Sequence, residues 1–305
     1  MKLAISLASR GRPDRLIDTI TKSYANWRHA GTVLHVQLDD DDPTLDETMS
    51  KLRDLDPVKD NVIIPNVRAR EDTIADKWNR ILEIPADVFL VAADDDPYVT
   101  EGYDSIILAA AERFPDGIGI VYGHLANLSF SGAVAPTRKF CELAGGVIFP
   151  PLFPYWFVDH WTDDVARIIG RLSFANVRTD QSQPGVTQEM REPGWWATFF
   201  DAAYLMRRKQ AHDIMDHADF RASTPAWQIE LLKANHPLIE VRSRMINQGV
   251  RSQSKQLEQY AGNLKPDERY NRVKQRAIAI VPRLLEDYGM PESEQAMFRN
   301  YLLPK

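Results

Sequence analysis

Two runs of carboxylates stand out in the sequence, Asp39-Asp40-Asp41-Asp42 and Asp94-Asp95-Asp96, the latter followed by Pro97. Each comes directly after a short apolar segment, Thr32 to Leu38 in the first case and Asp87 to Ala92 in the second. Carboxylates crowded in this way repel one another unless a cation lies among them. A hard divalent ion such as Mg²⁺ or Mn²⁺ prefers oxygen ligands, and it commonly takes one or two carboxylates plus substrate phosphates. Asp and Pro also favour ordinary turns; the repetition of the cluster at the mouth of a second apolar segment favours a site. A third acidic group, Asp159-His160-Trp161-Thr162-Asp163-Asp164, precedes a helical pattern at about 163–172. Such carboxylates can act as a general base toward a hydroxyl, or merely complement a helix N-terminus. Trp156, Trp161, Trp195 and Trp196 lie nearby in sequence, suited either to stacking on sugars and bases or to a core. His212, His217 and His236 could supply one more metal ligand, although no spacing motif links them.

The elements that must position these groups follow from periodicity. Apolar runs at Lys2 to Ala8, Thr32 to Leu38, Asn61 to Pro65, Asp87 to Ala92 and Gly117 to Tyr122 read as strands. Between them, helical patterns begin at Pro13, span Thr44 to Leu55, Thr73 to Leu82 and about Glu101 to Arg113. Pro13 suits a first helical turn. This βαβαβαβαβ order predicts an α/β fold with a mostly parallel sheet flanked by helices. In such sheets ligands bind beyond the carboxyl ends of the strands, where both acidic runs fall. From about residue 126 the pattern changes to aromatic and proline-rich stretches such as FPPLFPYWF at 149–157. Helices are expected thereafter over Trp196 to Asp216, Pro225 to Ala234, Pro266 to Tyr288 and Glu292 to Leu302. The expectation is one α/β unit with a helical C-terminal extension folded against it.

The chain has 305 residues, of which 44% are hydrophobic and 26% charged, a balance that excludes a disordered or collagen-like protein. Apolar runs such as Val88 to Ala93 reach six residues, far below the roughly 20 of a membrane span. The opening MKLAISLASRGRPDRL has no secretory apolar region, and the single Cys141 forms no internal disulfide, so the reducing cytoplasm is the expected compartment. The net charge of −6 is uneven: residues 242–276 hold nine basic and three acidic side chains, a net of +6 that leaves −12 for the other 270 residues. A basic stretch of this kind is either a solvated helical face or a surface for phosphates.

Four motifs in order resemble the GT-A glycosyltransferases of the family-2 type: SRGRPDRL after the first strand, LDDDDPT after the second, ADKWNRILE on the helix before the fourth, and VAADDDP after it. The resemblance covers residues 1 to about 125. It implies a nucleotide-sugar-binding half at 1–125, an acceptor-side and catalytic half of the same domain at 126–240, and a basic helical extension at 241–305. It further implies that Ser9, Arg10, Arg12 and Asp39 or Asp40 hold the base and ribose, with Lys77 and Asn79 near the nucleotide. Asp94 and Asp95 would meet the ribose or sugar, and Asp96, with Asp94, would hold Mn²⁺ or Mg²⁺ against the diphosphate. The second turn departs from the pattern, with Asp41-Asp42-Pro43 in place of Gly-Ser. Asp163-Asp164, followed by Arg167 and Gly170, resembles the family's Glu-Asp pair, with Asp164 in the register of the base and the adjacent register open. The expected reaction is metal-dependent, inverting transfer of a hexose or pentose from a nucleotide-diphosphate sugar to a hydroxyl on a glycan, a small molecule or a modified DNA base. The rival readings are a nucleotidyltransferase, disfavoured by the glycine-poor first turn, and a catalytically silent sugar- or nucleic-acid-binding protein.

Overall fold

A computed structural model describes residues 1–124, 132–180, 191–255, 268–288 and 290–303. Four strands, β1 (Leu3–Ala8), β2 (Val33–Asp39), β3 (Ile63–Arg68) and β4 (Val88–Ala93), form a fully parallel sheet in the order β3-β2-β1-β4. The intervening helices are α1 (Pro13–Ala25), α2 (Leu45–Arg53), the short α3 (Asp56–Lys59) and α4 (Ile74–Asn79), which tightens into a 3₁₀ turn over Arg80–Glu83. After β4 come α5 (Tyr103–Ala111), β5 (Ile120–His124), β6 (Gly132–Pro136) and α6 (Arg138–Leu143). The fold expectation therefore holds: a parallel α/β sheet between helices, followed by C-terminal helices.

Alternation along the strands builds the core. Leu3, Ile5 and Leu7 of β1 share a face with Leu34, Val36 and Leu38 of β2 and Val88, Leu90 and Ala92 of β4. Leu16 and Ile20 of α1 and Tyr103 and Ile107 of α5 bury themselves in the same cluster. The opposite face is more polar: Ser6 Oγ donates to the Trp78 carbonyl and Asn66 Nδ2 to Gln37 Oε1, while Gln37 Nε2 is buried without a hydrogen bond. Thr73 starts α4 by accepting from the Asp76 amide while its hydroxyl donates to the Asp76 carboxylate.

The fifth predicted strand, β5, does not extend this sheet. It centres a second one of order β6-β5-β7, antiparallel to β6 and parallel to β7 (Leu172–Arg178). An isolated bridge between Val88 and Thr137 runs alongside β4. The helix expected at about 163–172 begins and ends earlier: α7 spans Val158–Ile168, and the chain is extended from Leu172.

The chain divides into two compact units, residues 1–148 with 171–185, and residues 149–170 with 186–305. The second unit is helical: α7, α8 (Pro193–Ala202), α9 (Tyr204–Asp216), α10 (Ala218–Ser223), α11 (Ala226–Ser252), α12 (Glu268–Glu286) and α13 (Glu292–Leu302). Its core is aromatic. Phe153 lies with ring centroids 5.5 to 6.2 Å from Phe157, Trp161, Trp196, Phe199 and Phe200. No helix among the described residues is long and apolar enough to cross a membrane.

Candidate active site

In the order β3-β2-β1-β4 the chain first steps outward from β1 to β3, then returns to the other side of β1 as β4. The reversal opens a crevice between the carboxyl ends of β1 and β4, the place where parallel α/β sheets bind ligands. Two loops meet there, Ser9-Arg10-Gly11-Arg12 after β1 and Asp94-Asp95-Asp96 after β4. Gly11 makes the first loop possible, with φ of +69°, a conformation that side-chain-bearing residues avoid.

Asp94 joins the loops. It is fully buried; Ser9 Oγ donates to its Oδ2 at 2.6 Å, and Arg12 Nη2 lies 2.6 Å from its Oδ1. Thr19 of α1 donates to its carbonyl. Burial pushes the Asp94 carboxyl upward from its ordinary value, against the pull of Arg12 and Ser9. Asp95 sits 3.4 Å from Arg12 and 3.9 Å from Arg15.

Asp39, at the end of β2, is the second focus. Its buried carboxylate faces Lys77 Nζ at 3.1 Å, Arg10 Nη1 at 3.2 Å, and Arg70 and Arg80 each at 3.9 Å. Lys77 also donates to the Ser9 carbonyl at 2.8 Å, which ties α4 to the loop after β1. Burial lowers the Lys77 pKa from its ordinary value, with Asp39 opposing. Arg80 is held by both carboxylate oxygens of Glu71 and by the carbonyls of Leu38 and Ala69. Arg10 reaches Asp41 at 2.5 Å, and Asp42 accepts from the amides of Gly11 and Thr44 at 2.9 Å. Burial alone would raise the Asp42 pKa; these amides, the Thr44 hydroxyl and Arg10 outweigh it and hold the carboxyl below its usual range.

The structure thus gathers Ser9, Arg10, Arg12, Asp39, Lys77, Asp94 and Asp95 at the strand ends, with Asp96 on the same turn as Asp94. Asp40 is exposed beside this cluster. Asn79 points elsewhere, its Oδ1 accepting from the Ile148 amide at 2.8 Å. Arg15, Arg70, Glu71, Arg80 and the clamp at Asp42 are additions that the sequence reading missed. Arg15 and Arg80 each stand three residues beyond an expected site residue, Arg12 and Lys77, a spacing that shares a helical face.

The resemblance implies a divalent metal, and the donor set fits one with limits. Asp94 Oδ1 is buried and accepts no hydrogen bond, Arg12 being close but out of line, so a hard oxygen retains capacity toward a cation. Among the described residues no three His, Cys, Asp or Glu side chains converge as a metal cage. The residues therefore suit an ion that draws its remaining ligands from phosphate and water, the usual habit of Mg²⁺. Of the three histidines, all in the second unit, His217 caps α10 through the Asp219 amide, His236 accepts from Tyr204 Oη at its carbonyl, and His212 Nε2 is buried without a hydrogen bond.

In the second unit, Asp163 and Asp164 lie inside α7 and not ahead of it. Asp163 accepts from Arg167 Nε at 2.7 Å, one turn on, and pairs with Arg242 at 3.0 Å. Asp164 accepts from Arg207 Nε at 3.0 Å and lies 3.6 Å from Arg242. Arg207 is itself fully buried, 3.7 Å above the Phe200 ring, and donates to the Phe200 carbonyl. Burial foremost, with Asp163 adding, raises the Asp164 pKa against the pull of Arg207. Trp161 and Trp196 are buried and bonded to Gln210 and Tyr270, Trp195 stacks on Phe199, and Trp156 is half-buried. Part of the basic stretch is neutralised within the chain: Arg242 by Asp163, Arg244 by Glu240 and Glu294, Arg251 by Asp201, and Lys274 by Glu192. Glu258, Lys265 and Asp267 lie outside the described residues.

Fold and site together define the class: the chain has the GT-A fold. It is similar to the crystal structure of S. aureus TarS 1–349 in complex with UDP-GlcNAc, with a TM-score of 0.55 and 11% identity over 93% of this chain and 83% of that one. Against the longer TarS chain the TM-score is 0.49 at 11% identity, covering 83% of this chain and 55% of that one. The mannosyltransferase PcManGT from Pyrobaculum calidifontis in complex with GDP-Man and Mn²⁺ matches with a TM-score of 0.47 and 13% identity, over 99% of this chain and 84% of that one. No family model matches the sequence, and no curated protein matches it.

Proposed function

We propose that this protein is a metal-dependent nucleotide-sugar glycosyltransferase. The observation that carries the reading is the joining of Ser9, Arg12 and Asp94 across the β1/β4 crevice, flanked by the cation-ringed Asp39. A neighbour in fold binds UDP-GlcNAc, and this fits a nucleotide-sugar donor here as well.

In this reading Asp39, held in place by Lys77, Arg10, Arg70 and Arg80, accepts hydrogen bonds from the nucleobase or ribose. Arg12 and Arg15 stand where the diphosphate would lie and offer fixed positive charge to the departing group. Guanidinium forks match phosphate oxygens bidentately, and such preorganised charge is worth most where it meets charge that develops in the transition state. Asp94 orients Arg12 and, with Asp96, would hold Mn²⁺ or Mg²⁺. Bound there, the ion would supply Lewis-acid neutralisation of the diphosphate.

Asp163 and Asp164 enter this proposal as the ion-pair core of the helical unit. Asp163 pairs with the half-buried Arg167 and Arg242, and Asp164 with the buried Arg207, so the acceptor's general base is left unassigned, and inversion, which rested on that base, is not part of the reading.

The test is donor binding and turnover in Asp94→Ala and Arg12→Ala. Both variants are expected to keep wild-type circular dichroism and to lose transfer from a nucleotide sugar by at least about 10²-fold, the scale of removing one preorganised electrostatic group. Unchanged turnover in both would overturn the site assignment.

A further inference from the structure

Helix α11 carries an unusual outer face. Trp227, Leu231, Leu238, Val241 and Met245 are each 51% to 69% exposed, and with Ala234 they recur at alternating steps of four and three residues. That is a heptad seam, with Leu231, Leu238 and Met245 in one core position and Trp227, Ala234 and Val241 in the other. The inner face is already occupied. Ile229, Ser243 and Asn247 are buried, Asn247 donates to Asp201, and Tyr204 bonds the His236 carbonyl. The seam therefore points directly away from the body of its own unit.

We propose that this seam is the interface of a homodimer in which α11 packs antiparallel against α11 of a second copy. Three observations favour a second copy over other occupants. The five large side chains expose on the order of 500 Å² of apolar surface, at the upper end of the 300–600 Å² of the largest patch on typical monomers and a large share of the roughly 800 Å² that each partner buries in a stable complex. The pattern is also self-complementary in only one direction. Run antiparallel, the seam sets Trp227 against Met245, Leu231 against Val241 and Ala234 against Leu238, so each small or medium side chain meets a larger one. Run parallel, it sets Trp227 on Trp227 and Ala234 on Ala234, a clash beside a void. Finally, among the exposed residues of α11 the one formal charge is Glu230. An anionic lipid surface asks for cations around an apolar face, and here Arg242, Arg244 and Arg251 are turned to carboxylates of their own chain.

Sedimentation equilibrium of the full chain tests this. At about 100 µM, far above a micromolar dissociation constant, the wild type should have twice the 34.8 kDa chain mass. Leu238→Glu combined with Met245→Glu should dissociate at least about 100-fold more readily with unchanged circular dichroism, since both side chains are exposed. A wild type that stays monomeric, alone or while co-sedimenting with phosphatidylcholine vesicles, overturns the proposal, as does a charged variant that remains dimeric. Orientation is read from Trp227→Cys with Met245→Cys in one chain; native Cys141 is buried and does not compete. Antiparallel pairing gives a disulfide between 227 and 245 of different copies, whereas 227–227 and 245–245 links would refute it.

Discussion

Asp164 is where a catalytic and a structural role make opposite predictions. Replacing it by Asn keeps its volume but removes the charge facing Arg207. Arg207 is fully exposed to none of the solvent: Nε bonds Asp164, Nη1 bonds the Phe200 carbonyl, and Nη2 is buried without a hydrogen bond. Breaking a buried pair by removing one partner costs about 3–5 kcal/mol, because the remaining charge is left uncompensated. The lower end is expected here, since Asp201 still attracts Arg207 and Asp163 still pairs with Arg242 at 3.0 Å. Urea unfolding, followed by tryptophan fluorescence, should therefore show a loss near 3 kcal/mol in Asp164→Asn. Adding Arg207→Met, which removes the orphaned charge, should recover a good part of it. A general base would behave differently, with stability within about 0.5 kcal/mol of wild type and turnover reduced about 10²–10⁴-fold. That outcome would refute the ion-pair account and restore Asp164 to catalysis.

Other expectations concern the loops after β1 and β2 and the turn before β5. Asp42 has a folded-state pKa held below its ordinary value by amides of Gly11 and Thr44, so its contribution is present above the unfolded value and is lost as pH falls through the folded one. Asp42→Asn should accordingly be less stable than wild type by about 1–2 kcal/mol at pH 7, with the gap closing below about pH 4; a gap that is constant across an acid titration would contradict this. Gly11→Ala meets no atom within 4 Å, so only its φ of +69° resists the substitution. A loss of about 1 kcal/mol in thermal unfolding is expected, and an unchanged midpoint would argue against that backbone geometry. At Gly119 a Cβ would lie 2.4 Å from the Phe114 ring, and Gly119→Ala should destabilise by about 1–3 kcal/mol through overpacking.

The parallel sheet was legible because short apolar runs alternate with helical patterns along the chain: Leu3–Ala8 and Val88–Ala93 are such runs, and Pro13 and Thr73 mark helix starts. β7 escaped notice for the converse reason. Its buried positions are Ser173, Ala175 and Val177, while Phe174 is 40% exposed, so its pattern does not read as a half-buried strand. α11 runs straight through Pro237, which suggests a stop but sits on an exposed position of the helix. At the site, the acidic runs announced themselves through composition. Their partners did not, because Arg70, Arg80 and Arg15 reach Asp39 and Asp95 only after the strands are ordered. The same holds for Asp164, whose cations come from α9 and α11. Sequence displays the carboxylates; the fold decides which of them are left for a ligand.

Calorimetric titration of the wild type with nucleotide sugars, UDP- and GDP-linked, in Mn²⁺ or Mg²⁺ and again in EDTA, tests the central claim most directly. At least one donor is expected to bind saturably with the metal, with binding weakened at least about tenfold by EDTA, about 1.4 kcal/mol, and abolished in Asp94→Ala. Binding that is indifferent both to the metal and to Asp94 would contradict it.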